Sequence, residues 1–291
     1  MTPKTIVGRA FGAQSMVAPL EAVFVKRPAA AFGRAFENAE YAFLHAVDLP
    51  AAQAEHDGLC ATLRLLGVTV DELEVETASP DLCYTFDASL VTDRGAILLR
   101  SGKANRRGEE AAHEAWYAAH DIPILGRIEA PGTVDGGDTF WLDEQTFCIG
   151  RTLRSNRSGI EQLAGLVGGD VRFFDVPYGE GPEKLIHLLS LISPVAPDLA
   201  VVYLPLLPVG LWELLMERGV GLVEVPEAEF ESLGPNVLAV RPGVVVMAAG
   251  NPVTAARLRD RRVEVHEVPL AEVGMNGSGG PTCLTRPVLR G

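Results

Sequence analysis

The chain has 291 residues, of which 47% are hydrophobic and 22% charged, and its net charge at pH 7 is −13. This composition is typical of a globular protein with a sizeable core, and it argues against a nucleic-acid-binding protein. No apolar run reaches the roughly 18 residues of a membrane-spanning helix, so no membrane partner is expected. The acidity is compatible with a cationic small substrate, because a negative field accelerates its association.

The N-terminal residues and the cysteines bear on the compartment. Residues 1–12 contain Lys4 and Arg9 but no apolar segment of signal-peptide length. The four cysteines, Cys60, Cys83, Cys148 and Cys283, form no CxxC motif and no zinc-binding spacing. We therefore expect a cytoplasmic protein without a disulfide framework. The oligomeric state is left open, with a homodimer as one option.

The predicted elements repeat one order along the chain. Residues 23–25 predict a strand, 36–66 a helical region ended by Gly67, and 68–70 a strand. An extended segment at 81–92 is followed by strand 96–99, helix 106–120 and strand 122–124. Next come strands 139–142 and 146–150, helix 156–167 and strand 171–176. The second half predicts strands 199–203, 221–225, 237–240, 244–247 and 263–268, with helices 211–218 and 252–261.

The recurring unit is strand, strand, helix, strand, with about five copies at a spacing of roughly 40–60 residues. No linker rich in Pro, Gly or Ser divides the chain into halves. This repetition predicts a closed, propeller-like α/β protein with a single domain. A doubly wound parallel sheet is the alternative, but no GxGxxG or GxxxxGK[ST] motif follows a strand.

One cysteine lies in a glycine-rich bend near the end of the chain, at residues 277–286 (GSGGPTCLTR). We expect the glycines to reach positive φ and to allow close approach of a ligand, while Pro281 stiffens the exit. The alternative is a flexible tail with a chance cysteine, since lone cysteines are usually buried and inert.

A thiol nucleophile requires a base and a group that orients the base. His187 occurs in the apolar run 185–192, where an imidazole is either a core residue or a functional one. Asp135 and Asp138 flank a Gly-Gly pair, which is either a surface turn or a ligand-binding loop. Asp81 and Asp87 flank an apolar segment, and a strand aspartate such as Asp87 requires a partner or a cation.

Taken in order, these segments resemble the dimethylarginine dimethylaminohydrolase family of the guanidino-group-modifying superfamily, which also contains arginine deiminases and amidinotransferases. The resemblance extends from Asp81 to Cys283. It rests on residues 81–87, on 98–102 with 106–109, on 134–138 with 150–159, and on 187–188 with 282–283. It implies a five-bladed, pseudo-symmetric α/β propeller of ββαβ units, with one catalytic domain over residues 1–291.

The resemblance also implies roles for individual residues. Cys283 would attack the guanidinium carbon, His187 would act as general acid and base, and Asp135 would orient it. Asp87 would pair with the substrate guanidinium, and Asp81 with an amino group. Arg100 and Arg154 would bind a carboxylate. The implied reaction passes through a covalent thiouronium, gives a ureido product such as citrulline and an amine, and uses no metal or other cofactor.

Departures from the family pattern leave the substrate open. Phe86 stands where mammalian relatives carry glutamate, Tyr84 replaces a phenylalanine, and Pro194 follows the histidine segment. An amidinotransferase and a non-catalytic binder of guanidino compounds are alternative functions. Product analysis separates the first from a hydrolase. The retained Cys283, His187 and Asp135 argue against the second.

Overall fold

Fifteen strands in the described part of the chain form five three-stranded sheets, and the sheets share one internal order. The computed structural model describes residues 11–179, 181 and 186–291. Lys4, Arg9 and Leu185, which entered the sequence interpretation, lie outside these ranges. Among the described helices, none combines the length and apolar character needed to cross a membrane.

Each of four sheets is built from three consecutive strands. The first two form an antiparallel hairpin, and the third returns through a helix to pair in parallel with the second. These strands are β3 Ser89–Thr92, β4 Gly95–Leu98, β5 Ile124–Arg127, β6 Thr139–Trp141, β7 Thr146–Arg151, β8 Asp170–Asp175, β9 Ile192–Ala196, β10 Leu199–Val202, β11 Gly221–Glu224, β12 Val237–Arg241, β13 Val244–Ala248 and β14 Glu264–Val268. The connecting helices are α3 Glu109–Ala119, α4 Arg157–Val167, α5 Val209–Glu217 and α6 Pro252–Asp260.

The fifth sheet joins the two ends of the described chain. It combines β1 Leu20–Val25 and β2 Thr69–Glu72 with the last strand, β15 Arg286–Arg290. Strand β15 pairs antiparallel with β1, and β2 pairs in parallel with β1 after the helices α1 Ala30–Gly33 and α2 Leu49–Leu65. The five sheets therefore complete the expected five-bladed α/β propeller, closed by its C-terminal strand.

Burial explains the alternation of strand types in a blade. The two strands of each hairpin are almost entirely buried, as in β3, β4 and β13. The third strands are half exposed: β2, β5, β8, β11 and β14 carry charged residues on their outer faces. Continuous apolar runs suit strands covered on both faces, whereas outer strands need only one apolar face. The hydrophobic core thus lies around the inner strands.

Several predicted elements need correction. Residues 81–92 are not extended throughout, because Pro80–Cys83 forms a 3₁₀ turn and the strand begins at Ser89. The long helical region has its α-helix only from Leu49, where Asp48 accepts a hydrogen bond from the N–H of Ala51. Strands β9 and β15 were missed. Each contains a proline, a residue that weakens the sequence signal of a strand.

Candidate active site

The bend before β15 presents Cys283 through close contacts. Gly277, Gly279 and Gly280 do not adopt positive φ, contrary to expectation, and the left-handed residue is Ser278 with φ of 62°. Glycine is needed at position 280 for space: a Cβ there would lie 2.5 Å from the Asn236 Cγ. Asn236 accepts a hydrogen bond from the N–H of Thr282 (3.0 Å) and donates one to Cys283 Sγ (3.2 Å). Sequence reasoning missed this asparagine, whose only sequence signal is its place directly before β12.

Cys283 differs from the other three cysteines, all within the described residues, because it alone is partly exposed. Burial, followed by the charge of Asp87, raises the Cys283 pKa to about 11, and the hydrogen bond from Asn236 opposes the rise. The backbone carbonyl of Cys283 accepts a hydrogen bond from the N–H of Phe86 (3.1 Å), which places the thiol residue beside Asp87. At neutral pH the thiol of the free protein is therefore protonated.

His187 is positioned at the start of a 3₁₀ turn, Leu188–Ser190, where its side chain is 19% exposed. Its Nδ1 lies 3.2 Å from Asp138 Oδ1, and its Nε2 lies 4.0 Å from Asp135 Oδ2. Burial alone would lower the His187 pKa, but the carboxylates of Asp138 and then Asp87 outweigh it and raise the pKa above the usual 6.5. The imidazole is thus held among carboxylates.

Asp138 is the carboxylate nearest to the imidazole, although the resemblance assigned the orienting role to Asp135. Asp138 Oδ1 accepts a hydrogen bond from the N–H of Leu188 (3.1 Å). Its Oδ2 accepts hydrogen bonds from the hydroxyls of Thr152 and Ser155, each at 2.6 Å. Its signal in the sequence was its place as the second carboxylate of the motif 135–138.

Asp135 is fully buried and binds a cation. Its Oδ2 lies 2.9 Å from Arg154 Nη1, and its Oδ1 accepts a hydrogen bond from the N–H of Gly102 (3.0 Å). The guanidinium of Arg154, predicted to bind a substrate carboxylate, is therefore engaged with a protein carboxylate. The guanidinium of Arg100 donates a hydrogen bond to the backbone carbonyl of Gly132 (3.1 Å).

Asp87 forms a buried ion pair that the sequence analysis did not identify. Its Oδ2 lies 2.5 Å from Arg106 Nη1, and its Oδ1 accepts a hydrogen bond from the N–H of Gly137 (2.7 Å). Burial opposes ionisation, but Arg106, His187 and this N–H together lower the Asp87 pKa to about 2. Arg106 also binds Glu109 (2.8 Å), so the Arg106-Arg107-Gly108-Glu109 motif was its sequence signal.

Asp81 lies in a second ion pair close by. Its Oδ2 is 2.7 Å from Lys103 Nζ, and this ammonium lies 5.3 Å from the centre of the Tyr41 ring. Lys103 is thus bound where the resemblance places a substrate amino group, and the sequence analysis assigned it no role.

The charges of this region do not balance. Five carboxylates face three cations in these ion pairs. The carboxylates are Asp81, Asp87, Glu109, Asp135 and Asp138, and the cations are Lys103, Arg106 and Arg154. Arg100, which donates to the carbonyl of Gly132, adds a fourth cation, so the region carries excess negative charge while His187 is neutral. The site is therefore suited to a small cation.

Asp87, Asp135 and His187 also offer ligand atoms within 4.8 Å of one another, the spacing of a metal site. Both carboxylates are engaged by guanidinium groups, Arg106 at Asp87 and Arg154 at Asp135. A metal ion bound here would share these carboxylates with the two guanidinium groups.

Comparison with known proteins agrees with this geometry. The fold and the group of cysteine, histidine and carboxylates define a member of the guanidino-group-modifying superfamily. More narrowly, the chain belongs to the arginine deiminase family, whose model, described as "Arginine deiminase", matches residues 76–204 and 207–290.

Two curated relatives and one solved structure illustrate the similarity. An N(G),N(G)-dimethylarginine dimethylaminohydrolase of Pseudomonas aeruginosa is 29% identical over 248 residues, covering 82% of this chain and 89% of that one. An arginine deiminase of Listeria welshimeri is 27% identical over 254 residues, covering 72% of this chain but only 62% of the longer relative. The structure of a Cys-to-Ser variant of the Pseudomonas enzyme complexed with citrulline aligns with a TM-score of 0.77 at 23% identity. It covers 93% of this chain and 100% of that one.

Proposed function

We propose that this protein hydrolyses the guanidino group of an arginine-like small molecule through a covalent intermediate on Cys283. The observation that carries the proposal is the excess of buried carboxylate over cation around His187, beside a partly exposed thiol. A guanidinium ion matches this site in charge and in planar shape. Relatives named dimethylarginine dimethylaminohydrolase and arginine deiminase support the same reaction class.

The substrate guanidinium would lie against Asp87. Each oxygen of Asp87 accepts one hydrogen bond, from Arg106 or from Gly137, and so keeps acceptor capacity for a substrate N–H. Arg106 keeps the carboxylate ionised, because it holds the Asp87 pKa at about 2. Binding therefore requires no change of protonation at Asp87.

A bound guanidinium would also activate the thiol. The Cys283 pKa is about 11 in the free site because burial and the Asp87 charge disfavour the thiolate. A cation beside the sulfur offsets the Asp87 charge and lowers this pKa. The thiol proton is then released to solvent, so the nucleophile forms chiefly in the presence of its substrate.

The reaction then proceeds in two halves. The Cys283 thiolate adds to the guanidinium carbon, and the C–N bond to the departing amine breaks as His187 donates a proton to that nitrogen. A thiouronium on Cys283 remains, and His187 is neutral. His187 next accepts a proton from water as the water oxygen attacks the same carbon. The C–S bond breaks and the hydroxyl proton of the adduct passes through solvent to the released amine, which gives a ureido product, an ammonium ion and the restored thiolate.

The far end of the substrate is assigned to Asp81, Arg100 and Arg154. In the free site Asp81 binds Lys103 and Arg154 binds Asp135. We propose that the amino group of a zwitterionic substrate replaces Lys103 as the partner of Asp81. Its carboxylate replaces Asp135 as the partner of Arg154. One charge-assisted hydrogen bond is worth about 1.5–3 kcal/mol, or roughly 10- to 150-fold in affinity. Agmatine, which lacks the carboxylate, should be a poorer substrate than arginine by that factor, and Arg154→Ala should abolish the difference.

The test is a panel of arginine, monomethylarginine, dimethylarginine, agmatine and guanidino acids, scored for ureido product and for released amine. We expect one arginine-like compound to be hydrolysed, and Cys283→Ser to lower turnover by about 10³-fold or more. Parallel reactions with an added amine acceptor identify amidino transfer. The proposal fails if the ureido product never forms, if turnover depends on the acceptor, or if Cys283→Ser retains a tenth of the activity.

A further inference from the structure

A small, partly enclosed cavity lies between the first strands of several blades, next to the bend that carries Cys283. Its lining includes Trp141 of β6, Leu238 of β12, and Arg286 and Arg290 of β15, together with Thr282 from the bend that carries Cys283. The space that admits the centre of a water-sized sphere is about 10 Å³, which corresponds to one such sphere. The cavity therefore has room for a single small occupant.

Two buried guanidinium groups line this cavity without a carboxylate partner. Arg286 and Arg290 are 3% and 5% exposed, and within the described part of the chain no carboxylate oxygen lies within 4 Å of either group. Instead they donate to backbone carbonyls: Arg286 to those of Phe86 (2.9 Å) and Ser89, and Arg290 to those of Ala18 (2.6 Å) and Ala239 (2.8 Å). Carbonyl dipoles satisfy N–H groups but do not cancel charge.

Both guanidinium groups nevertheless remain charged at neutral pH. Burial lowers the pKa of Arg286 to about 10 and that of Arg290 to about 9, and both values stay above 7. The carboxylate of Asp87 acts weakly on Arg286 but is already paired with Arg106. Arg286 also lies over the Phe86 ring, 4.1 Å from its centre. The inner strands thus enclose two positive charges without a carboxylate at ion-pair distance, an arrangement that a bound anion would stabilise.

The polar atoms without partners around the cavity are all donors. Within the described residues, Arg286 Nε, Arg290 Nε, Trp141 Nε1 and Thr282 Oγ1 are buried and have no hydrogen-bond partner. Each belongs to a residue that lines the cavity. A water molecule can accept only two hydrogen bonds and neutralises no charge. A halide-sized anion can accept from more donors than a water molecule can, and it neutralises one charge.

We propose that this cavity is a structural binding site for one monovalent halide-sized anion, with chloride as the physiological occupant. The cavity has no room for a phosphate or a carboxylate. The anion would lie next to Thr282 on the side away from the substrate, and would stabilise the closed ring by linking β15 to β6. By mass action, an anion that binds only the folded state raises the melting temperature (Tm) of the protein.

Crystallography with bromide tests the site directly. Crystals of the intact chain would be grown in sodium gluconate and transferred to sodium bromide, and data would be collected at the bromine absorption edge. We expect one anomalous peak in the cavity, within hydrogen-bond distance of at least one of the two arginine Nε atoms. A water molecule there, with no anomalous signal in bromide, would overturn the proposal.

Thermal unfolding gives an independent measurement. At constant ionic strength, replacing gluconate by chloride or bromide should raise the Tm of the wild-type protein by several degrees. Arg290→Met removes one of the enclosed charges together with its hydrogen bonds to Ala18 and Ala239, so the Tm of this variant should not respond to halide. Arg157→Met is the control, because the Arg157 side chain is 82% exposed and its loss should leave the halide response intact.

Trp141→Phe keeps an aromatic ring but removes one donor, and so serves if Arg290→Met does not fold. Its Tm response to halide should need several-fold higher concentrations than that of the wild type. An unchanged halide response in Arg290→Met, or in Trp141→Phe where the first variant does not fold, contradicts the assignment.

Discussion

Asn236 shows how the fold controls its thiol at the scale of one residue. Its amide holds both the backbone of Thr282 and the sulfur of Cys283, and Gly280 is small enough to let it approach. This hydrogen bond favours the thiolate, but burial and Asp87 act more strongly in the opposite direction. The resting site therefore keeps Cys283 unreactive.

Alkylation by iodoacetamide should reveal this resting state. With a Cys283 pKa of about 11, the rate should rise tenfold per pH unit across the neutral and mildly alkaline range without reaching a plateau. Asn236→Ala should react more slowly than the wild type at each pH. Peptide mapping should find the label on Cys283, because Cys60, Cys83 and Cys148 are buried. A rate that reaches its plateau below pH 8 would show that the thiol is already activated.

The second prediction at this scale separates two carboxylates near His187. Asp138 lies 3.2 Å from Nδ1 and raises the His187 pKa, whereas Asp135 lies 4.0 Å from Nε2 and is paired with Arg154. Asp138→Asn should therefore lower the His187 pKa more than Asp135→Asn does, as measured by NMR titration of the imidazole. A larger decrease of the His187 pKa in Asp135→Asn than in Asp138→Asn would show that Asp135 orients the imidazole.

The raised pKa of His187 also makes the stability of the folded protein depend on pH. Because the folded pKa of His187 is raised above its unfolded value near 6.5, the imidazolium stabilises the folded state fully below that pH. This contribution is lost as the pH rises through the higher folded pKa. The Tm of Asp138→Asn should therefore vary less with pH across that window than the Tm of the wild type.

Sequence reasoning found many of the site residues but few of their contacts. Asp87, Asp135 and His187, which it singled out, do lie together, and Cys283 lies beside Asp87. The ion pair of Arg106 with Asp87 spans 19 residues, and the hydrogen bond of Asn236 to Cys283 spans 47. Such partners are brought together by different blades or loops, and no local pattern encodes them.

At the scale of elements, the short 3₁₀ turn Gly136–Asp138 joins two halves of the site. Its N–H at Gly137 binds Asp87, and Asp138 contacts His187. A Cβ on Gly137 would lie 3.0 Å from His187 Cγ and Nδ1, and 3.1 Å from Asp87 Oδ1. The absence of a side chain here thus permits the packing of the imidazole against the turn.

Gly137→Ala should displace His187 while the blade remains folded. A displacement of this kind costs on the order of 10²-fold in turnover, with a loss of about 1–3 kcal/mol in the free energy of unfolding. Gly165→Ala is the matched control, because a Cβ there meets nothing within 4 Å and the exposed position lies in α4. It should keep full activity and gain roughly 0.5–1 kcal/mol. Full activity of Gly137→Ala would show that the imidazole tolerates displacement.

At the scale of the whole molecule, the closed ring was predictable, but the strand that closes it was not. The repeated strand and helix pattern indicated about five units, because each unit carries its own apolar periodicity. The closing strand β15 contains Pro287, which weakens the local sequence signal of a strand. By pairing antiparallel with the middle strand β1, it takes the place that the first strand of the blade has in the other four sheets.

The last prediction concerns this closure. Strand β15 pairs along β1, with Val23 opposite Pro287 and Phe24 opposite Arg286, and it buries Val288 and Leu289. Removing residues 286–291 would leave β1 with an unpaired edge and open the core, so this truncated chain should show no cooperative thermal transition. The matched control is a circular permutant that joins Gly291 to Met1 through a flexible linker and begins at Gly243, in the turn between β12 and β13. Because it keeps every strand pair and changes only the order of the chain, it should unfold cooperatively with a Tm within several degrees of the wild type. A truncated chain that melts like the permutant would show that the ring holds together without its closing strand.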